Sequence, residues 1–147
     1  METDTIHHLL LMAFNHSNRA MTSRTRAFGL MPGQPKVLEH LAEHEGCLQR
    51  DIARACVMDR ATVTGVLTRM EESGLVERRP KQGDRRALEV RLSDGGWEAA
   101  ERVACCGAEV DEIACAGMSV AEREELSRLL TRMIENFERE EQRDAHE

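Results

Sequence analysis

The chain has 147 residues, 41% of them hydrophobic, and a formal net charge of −7 at pH 7. The length suits one domain with an added dimerisation element, and no apolar run approaches the roughly 20 residues that cross a bilayer. Five cysteines at irregular spacing fit no disulfide framework, and no secretory signal is recognisable. We therefore expect a soluble protein of the reducing cytoplasm, with no membrane partner.

The charge is distributed unevenly along the chain. The net charge is −1 over residues 1–46, +3 over residues 47–93 and −9 over residues 94–147. Six basic residues are concentrated in one short stretch, namely Arg78, Arg79, Lys81, Arg85, Arg86 and Arg91. A basic segment beside an acidic scaffold is often a nucleic-acid-binding segment, although a mixed solvated surface explains the charge alone equally well.

The N-terminal part of the chain predicts two helices. The first spans residues 6–28, and its first half is apolar almost all round, so we expect it to be buried against a core or against another subunit. A Pro/Gly break separates it from a second helix, which has Pro35 in its first turn and stops at Gly46. The apolar stripe of this second helix consists of Val37, Leu38 and Leu41.

The middle of the chain predicts two short helices joined by a tight turn. The first has an apolar stripe at positions i, i+4 and i+7, formed by Leu48, Ile52 and Ala55. Asp59 is a suitable N-cap for the second helix, and Gly74 ends it. The apolar stripe of the second helix consists of Val63, Val66, Leu67 and Met70.

A β-hairpin and two longer helices complete the predicted order. Apolar and polar residues alternate on either side of a Pro/Gly-containing loop with basic residues at its tip; the apolar positions are Leu75, Val76, Leu88, Val90 and Leu92. Helical patterns then run from Asp94 to about Glu141, with a break before a capping box formed by Ser119 and Glu122. The chain is thus predicted to be mainly α with a small β-hairpin wing, a winged helix-turn-helix of class α+β.

The outward face of the second short helix predicts contact with DNA. When its apolar stripe faces inward, this face consists of Ala61, Gly65 and Thr68, flanked by Thr62, Thr64 and Arg69. Small side chains let a helix approach the floor of a major groove, where threonine can contact phosphates, base edges or the thymine methyl group. Arg60 and Arg69 can reach guanine or phosphate. Packing of this face against another helix is the alternative, and the adjacent basic hairpin argues against it.

The segment "LQRDIARACVMDRATVTGVLTRMEESGLVERRP", with the following "GDRRALEVRLSDGG", resembles the MarR family of bacterial winged-helix regulators. The wing signature of that family is an Asp, a gap, an Arg and alternating residues that close on Leu-Ser/Thr. Here it is matched by Asp84, Arg86, Val90, Leu92 and Ser93. The element order and length also match, so the resemblance covers nearly the whole chain. One departure is Val57, which stands where the turn of the family often has glycine, so a different or strained backbone is expected at this turn.

The resemblance implies one MarR-like domain over residues 1–147, with a winged helix-turn-helix over 33–93 and a helical dimerisation region formed by 6–28 and 94–143. A homodimer would place its recognition helices in successive major grooves of a pseudo-palindromic operator. Arg86 would enter the flanking minor groove, Asp84 would hold it by pairing, and Arg85 would contact phosphate. The predicted DNA-binding residues are Gln49, Arg60, Thr62, Thr64, Thr68, Arg69, Arg85 and Arg86.

Repression is the common mode of the family, and the resemblance implies release of DNA by a small aromatic or phenolic anion. Its pocket would lie between the dimer helices and the winged module, and the sequence does not identify the lining residues. No cofactor is predicted. The absence of a phosphate-binding glycine loop or a recognisable nucleophile frame predicts that the chain is not an enzyme.

Three alternatives within the same fold stay open. Thiol sensing could involve one of the cysteines, Cys47, Cys56, Cys105, Cys106 or Cys115, although buried cysteines usually behave as small hydrophobic residues. Metal sensing could involve His40 and His44 at i, i+4, which solvated histidines explain better, so no metal site is predicted. A winged protein-interaction module without DNA binding would have no reason to keep basic residues on an exposed tip.

Overall fold

The computed structural model describes residues 5–146. The helices are α1 (Ile6–Thr25), α2 (Gln34–Glu43), α3 (Gln49–Ala55), α4 (Arg60–Glu72), α5 (Asp94–Ala114) and α6 (Val120–Asp144), with a short 3-10 helix, Arg26–Phe28, after α1. The strands are β1 (Cys47–Leu48), β2 (Val76–Lys81) and β3 (Asp84–Leu92). A mainly helical chain with one small antiparallel sheet confirms the predicted α+β class.

The chain divides into two compact units, Met1–Val110 and Asp111–Glu147. The hydrophobic core lies in the first unit, where the side chains of Leu38, Leu41, Ile52 and Leu67 are completely buried. Each such side chain contributes about 1.5–3 kcal/mol through removal of apolar surface from water. Among residues 5–146, no helix is both long and apolar enough to cross a bilayer.

The apolar stripes predicted for α2 and α4 form the centre of this core. Their buried members are Val37, Leu38, Leu41, Val63, Leu67 and Met70, while Val66 is partly buried. The stripe predicted for α3 was wrong at both ends. The helix begins after Leu48, which is extended (φ −77°, ψ 148°) because it pairs with β3, and Ala55 is exposed. Only Ile52 of the predicted stripe is a buried residue of α3.

The turn between α3 and α4 carries the strain that the sequence indicated. Val57 has φ of 52° and is 91% exposed, a left-handed conformation that a β-branched residue rarely adopts. Asp59 then caps α4, and its carboxylate accepts a hydrogen bond from the Thr62 backbone N–H at 2.7 Å. This hydrogen bond lowers the pKa of Asp59, because it stabilises the charged carboxylate. The predicted N-cap is therefore confirmed.

The wing belongs to a three-stranded antiparallel sheet in the order β1-β3-β2. Val76 lies opposite Leu92 in the predicted hairpin, and Leu48 of β1 lies opposite Glu89 on the other edge of β3. Gly83 closes the hairpin with φ of 92°. The sequence predicts only the two strands of the hairpin, because a strand of two residues is too short to show alternation.

The last two helices begin at the predicted positions. Ser93 precedes α5, and its hydroxyl accepts a hydrogen bond from the Gly96 N–H at 3.0 Å. A Cβ at Gly96 would lie 2.0 Å from the Leu75 carbonyl oxygen, so only glycine permits this close packing of α5 on the chain before β2. Ser119 caps α6 by accepting a hydrogen bond from the Glu122 N–H at 3.1 Å, as predicted.

Candidate nucleic-acid interface

A cleft of about 500 Å³ lies between α3, the start of α4 and the N-terminal half of β3. It brings together four of the residues selected from the sequence, Gln49, Arg60, Asp84 and Arg86, although they come from three separate elements. Arg50, which the sequence analysis did not select, lines the same cleft. Helix propensity and hairpin alternation give no signal for Arg50, because only the packing of α3 beside the wing places it there.

The outward face of α4 has the exposure that its periodicity predicted at every position except Thr68, which the Arg78 side chain contacts. Ala61, Thr62, Thr64 and Arg69 are exposed, and Thr68 is partly buried. Gly65 lies in the middle of this face, and a Cβ built there would meet no described atom within 4 Å. Packing within the chain therefore does not require a glycine at this position.

A side-chain relay connects α3 to α4. Gln49 Nε2 donates to Thr64 Oγ1 at 2.9 Å, and Thr64 Oγ1 donates to the Arg60 carbonyl oxygen at 2.8 Å. Gln49 Oε1 is buried and has no hydrogen-bond partner among residues 5–146. Gln49 therefore holds the two helices of the helix-turn-helix together, a role that its position in the sequence did not reveal.

The base of the wing is fixed to α4 by Arg78. Its side chain is only 15% exposed, and its Nη2 donates to Glu71 Oε1 at 3.3 Å and to Thr68 Oγ1 at 3.1 Å. The Arg78 backbone N–H also donates to Glu71 Oε2, at 3.1 Å. These hydrogen bonds lower the pKa of Glu71. Arg78 was counted among the basic tip residues, but its charge is used within the chain.

The remaining basic residues of the wing fall into two groups. Arg79 pairs with Glu77 at 3.1 Å, and Arg91 pairs with Glu89 at 2.7 Å. Among the basic residues of the wing, Lys81, Arg85 and Arg86 are exposed and form no ion pair with any residue from 5 to 146. Within the wing, the positive charge available to a ligand is therefore concentrated at the hairpin turn, where two of the three are predicted DNA contacts.

Asp84 contacts Arg86 differently from the predicted side-chain pair. Its Oδ1 accepts a hydrogen bond from the Arg86 backbone N–H at 3.0 Å, and the described part of the chain contains no ion pair between the two side chains. A short Asp side chain readily reaches the backbone N–H two residues later in the chain, and this local hydrogen bond competes with pairing to the flexible guanidinium group. Asp84 thus shapes the start of β3 and leaves the charge of Arg86 free.

Three of the five cysteines and the pair His40 and His44 show little sign of reactivity. Burial raises the pKa of the thiols of Cys47, Cys56 and Cys106, so little nucleophilic thiolate is present at neutral pH. The rings of His40 and His44 stack at 4.5 Å between centroids, and desolvation lowers the pKa of His40. Between residues 5 and 146, no three His, Cys, Asp or Glu side chains are arranged to hold a metal ion.

Comparison with known proteins gives consistent matches. A sequence profile of the MarR family matches residues 28–87. The HTH-type transcriptional repressor NicR of Pseudomonas putida is 26% identical over 136 residues, which cover 92% of this chain and 86% of NicR. The match therefore extends well beyond the helix-turn-helix segment.

Solved structures share the fold as well. A probable transcriptional regulator from Pseudomonas aeruginosa is 32% identical, with a TM-score of 0.75 over 88% of this chain and 97% of that one. BpsR of Bordetella bronchiseptica, whose DNA binding is regulated by 6-hydroxynicotinic acid, is 26% identical, with a TM-score of 0.78 over 90% of this chain and 95% of BpsR.

Proposed function

Because the chain belongs to the MarR family of transcriptional regulators, we propose that it is a homodimeric repressor that binds a pseudo-palindromic operator and is released by a small-molecule ligand. Its relatives are transcriptional regulators, so the prediction that it is not an enzyme is confirmed. The proposed site of action is the cytoplasm, where operator DNA is accessible.

The observation that supports operator binding is the position of α4 beside a hairpin turn whose basic side chains form no ion pair with the described residues. The exposed face of α4 has no bulky side chain around Gly65, which suits a helix in a major groove. Lys81, Arg85 and Arg86 lie at the hairpin turn, and their side chains form no ion pair with the described residues, which suits phosphate and minor-groove contacts. Gln49, Arg60 and the other selected residues are proposed contacts or supports of this surface.

Dimerisation is supported first by α1. The sequence left two explanations for its apolar first half, a core and another subunit, and the protomer leaves this half uncovered. Its exposed apolar side chains are Ile6, Leu9, Leu11, Met12 and Phe14, and Thr25 at the far end is the only buried residue of the helix. A second copy of the chain would cover this surface and so remove the unfavourable free energy of exposing apolar side chains to water.

The helix α6 independently supports a second copy. None of its 25 residues is buried, yet it has an apolar stripe at helical spacing. The exposed members of this stripe are Leu126, Leu129, Leu130, Ile134 and Phe137. A helix of this length with an uncovered stripe is typical of an interface between subunits.

A second cavity, of about 190 Å³, is the proposed effector site. It is lined by α1, the loop after it and α2, including Phe14, Met21, Met31 and Lys36. The volume is below the usual range of about 300–1,000 Å³ for drug-sized ligands, so a single-ring compound suits it. Lys36 supplies a positive charge for an aromatic or phenolic anion, the ligand type suggested by the 6-hydroxynicotinic acid that regulates BpsR.

The wall of this cavity contacts the helix-turn-helix, which supports coupling between ligand and operator. Lys36 Nζ donates to the Cys56 carbonyl oxygen at 3.5 Å, directly before the strained turn. A Cβ at Gly33 would lie 3.2 Å from Met58 Cε and 3.4 Å from Val66 Cγ2, so the loop packs closely on α4. A ligand that moves Lys36 or Gly33 would shift α4, provided that it binds the two arrangements with different affinity.

Selection of bound sequences from a randomised duplex pool tests this proposal. We expect an enriched inverted repeat with half-sites centred about 10 base pairs apart, one for each recognition helix of a dimer. Binding should weaken steeply with salt, because Lys and Arg contacts release counterions from DNA. Enrichment of no sequence, together with weak retention that salt does not change, would instead favour the protein-interaction module.

A further inference from the structure

Thr64 and Thr68 of α4 both use their hydroxyl hydrogens in hydrogen bonds within the chain. A threonine hydroxyl has one hydrogen to donate and two lone pairs to accept with. Thr64 donates its hydrogen to the Arg60 carbonyl oxygen at 2.8 Å and accepts from Gln49 Nε2 at 2.9 Å. Thr68 donates to the Thr64 carbonyl oxygen at 2.8 Å and accepts from Arg78 Nη2 at 3.1 Å.

This arrangement removes most of the contacts that a threonine could make in a major groove. Phosphate oxygens, guanine N7 and O6, adenine N7 and thymine O4 only accept hydrogen bonds, so a hydroxyl without a free hydrogen cannot bond to them. One lone pair is left on each hydroxyl, which could accept only from the amino group of adenine or cytosine. Apart from the hydroxyl, each threonine side chain has only its methyl group with which to contact a base.

The two threonines lie on one face because they are four residues apart. Side chains at this spacing have Cβ atoms about 5–6 Å apart, which corresponds to one or two base-pair steps of about 3.4 Å. Gly65 lies beside Thr64, and no described atom occupies the space where its Cβ would be. The backbone of α4 can therefore come close enough for short side chains to touch base edges.

We propose that Thr64 and Thr68 recognise thymine through contacts between methyl groups, and that Gln49 and Arg78 are positioning residues that hold the two hydroxyls turned away from the DNA. This inference rests on the proposed operator binding by α4. It assigns thymine specificity to the two positions and excludes them as phosphate contacts.

The test uses deoxyuridine, which differs from thymidine in DNA only by the missing methyl group. Each thymine of the selected operator is replaced in turn, and the affinity of the full-length protein is measured by fluorescence anisotropy. We expect one or two positions in each half-site where the replacement weakens binding about fourfold, the effect of one buried methyl-sized group. Replacement elsewhere should leave the affinity unchanged.

Two variants separate the methyl group from the hydroxyl group. Thr64→Val keeps the methyl group and replaces the hydroxyl with a second methyl group, so it should retain the preference for thymine over deoxyuridine. Thr64→Ser keeps the hydroxyl and removes the methyl, so the preference at one position should disappear. Thr131→Ser is the matched control, because Thr131 is also an exposed helical threonine whose hydroxyl donates to a carbonyl four residues before it, Ser127, at 2.8 Å.

The outcomes distinguish this inference from the proposal on which it rests. Sequence-specific binding without any loss on deoxyuridine replacement would overturn methyl recognition and leave the repressor proposal intact. A Thr64→Val protein that loses the preference, with a Thr64→Ser protein that keeps it, would show that the methyl group of Thr64 does not read the thymine methyl group, and would also overturn the inference. If the pool yields no enriched sequence, operator binding itself fails, and the inference fails with it.

Discussion

Arg78 and Arg86 carry the same charge on neighbouring strands of the wing, yet their surroundings give them different roles. Arg78 is largely buried and bonded to Glu71 and Thr68, so it fixes the wing to α4. Arg86 is exposed, and its contact with Asp84 uses only the backbone N–H. At the scale of single residues, the available charge is therefore decided by which arginines have carboxylate partners.

This difference predicts opposite effects of two alanine substitutions. Arg86→Ala should weaken operator binding about tenfold, as expected for one Arg contact to DNA, and leave the melting temperature unchanged. Arg78→Ala should lower the melting temperature, because Glu71 and Thr68 lose their shared partner. Thermal denaturation and fluorescence anisotropy measure the two effects on the same samples. An Arg86→Ala protein with wild-type affinity would contradict the assignment of the wing turn to DNA.

The proposed recognition helix, α4, contains a glycine that lowers the stability of the helix. Gly65 is exposed in the middle of a helix of 13 residues, where glycine is less favourable than alanine by about 0.8–1.0 kcal/mol. No close contact within the chain explains this choice. The glycine therefore reduces the stability of the helix in exchange for an open outward face.

Gly65→Ala should consequently stabilise the protein and weaken its operator binding. The free energy of unfolding should rise by about 0.5–1 kcal/mol, measured by urea denaturation, while the added Cβ reduces affinity in the anisotropy titration. Gly107→Ala in α5 is the matched control, because a Cβ there would meet only Glu39 Oε1 at 3.9 Å, an ordinary contact. If both variants were stabilised and both bound the operator normally, α4 would not approach DNA closely at Gly65.

At the scale of the whole molecule, apolar surface that the protomer leaves exposed requires an explanation. It lies on the first half of α1 and along α6. On each of these helices, several exposed apolar side chains are grouped together, whereas exposed apolar residues on a monomer are usually scattered singly. The hydrophobic core of the first unit does not use either of them. A second copy of the 16.6 kDa chain is the proposed occupant.

A charged residue placed within the apolar stripe of α6 tests whether a second copy of the chain covers this stripe. Ile134→Glu should convert a dimer into a monomer, because Ile134 is 57% exposed in the protomer and its burial would occur only in the dimer. Sedimentation equilibrium measures the mass of the assembly. Thr131→Glu is the control, since Thr131 is exposed and lies off the stripe, and it should stay dimeric. A wild-type protein that sediments as a monomer would contradict the dimer.

Much of the fold was determined by the sequence alone, because its signals act within a few residues. The caps at Asp59 and Ser119, the left-handed Gly74 after α4 and the inward stripes of α2 and α4 were all found where local periodicity and capping chemistry predicted them. Strain at Val57 was indicated as well, since a β-branched residue stood where glycine suits the turn. The family resemblance rested on the same local features.

Only the tertiary structure decided which charges are available and what holds the candidate interface together. Three features depend on how separate elements pack together. They are the pairing of β1 with β3, the contact between Gln49 of α3 and Thr64 of α4, and the ion pair between Arg78 of β2 and Glu71 of α4. Periodicity reports which face of an element is apolar, but it contains no information on which polar side chains meet across elements. The six basic residues of the wing are alike in sequence, and their positions after folding separate structural supports from residues able to bind DNA.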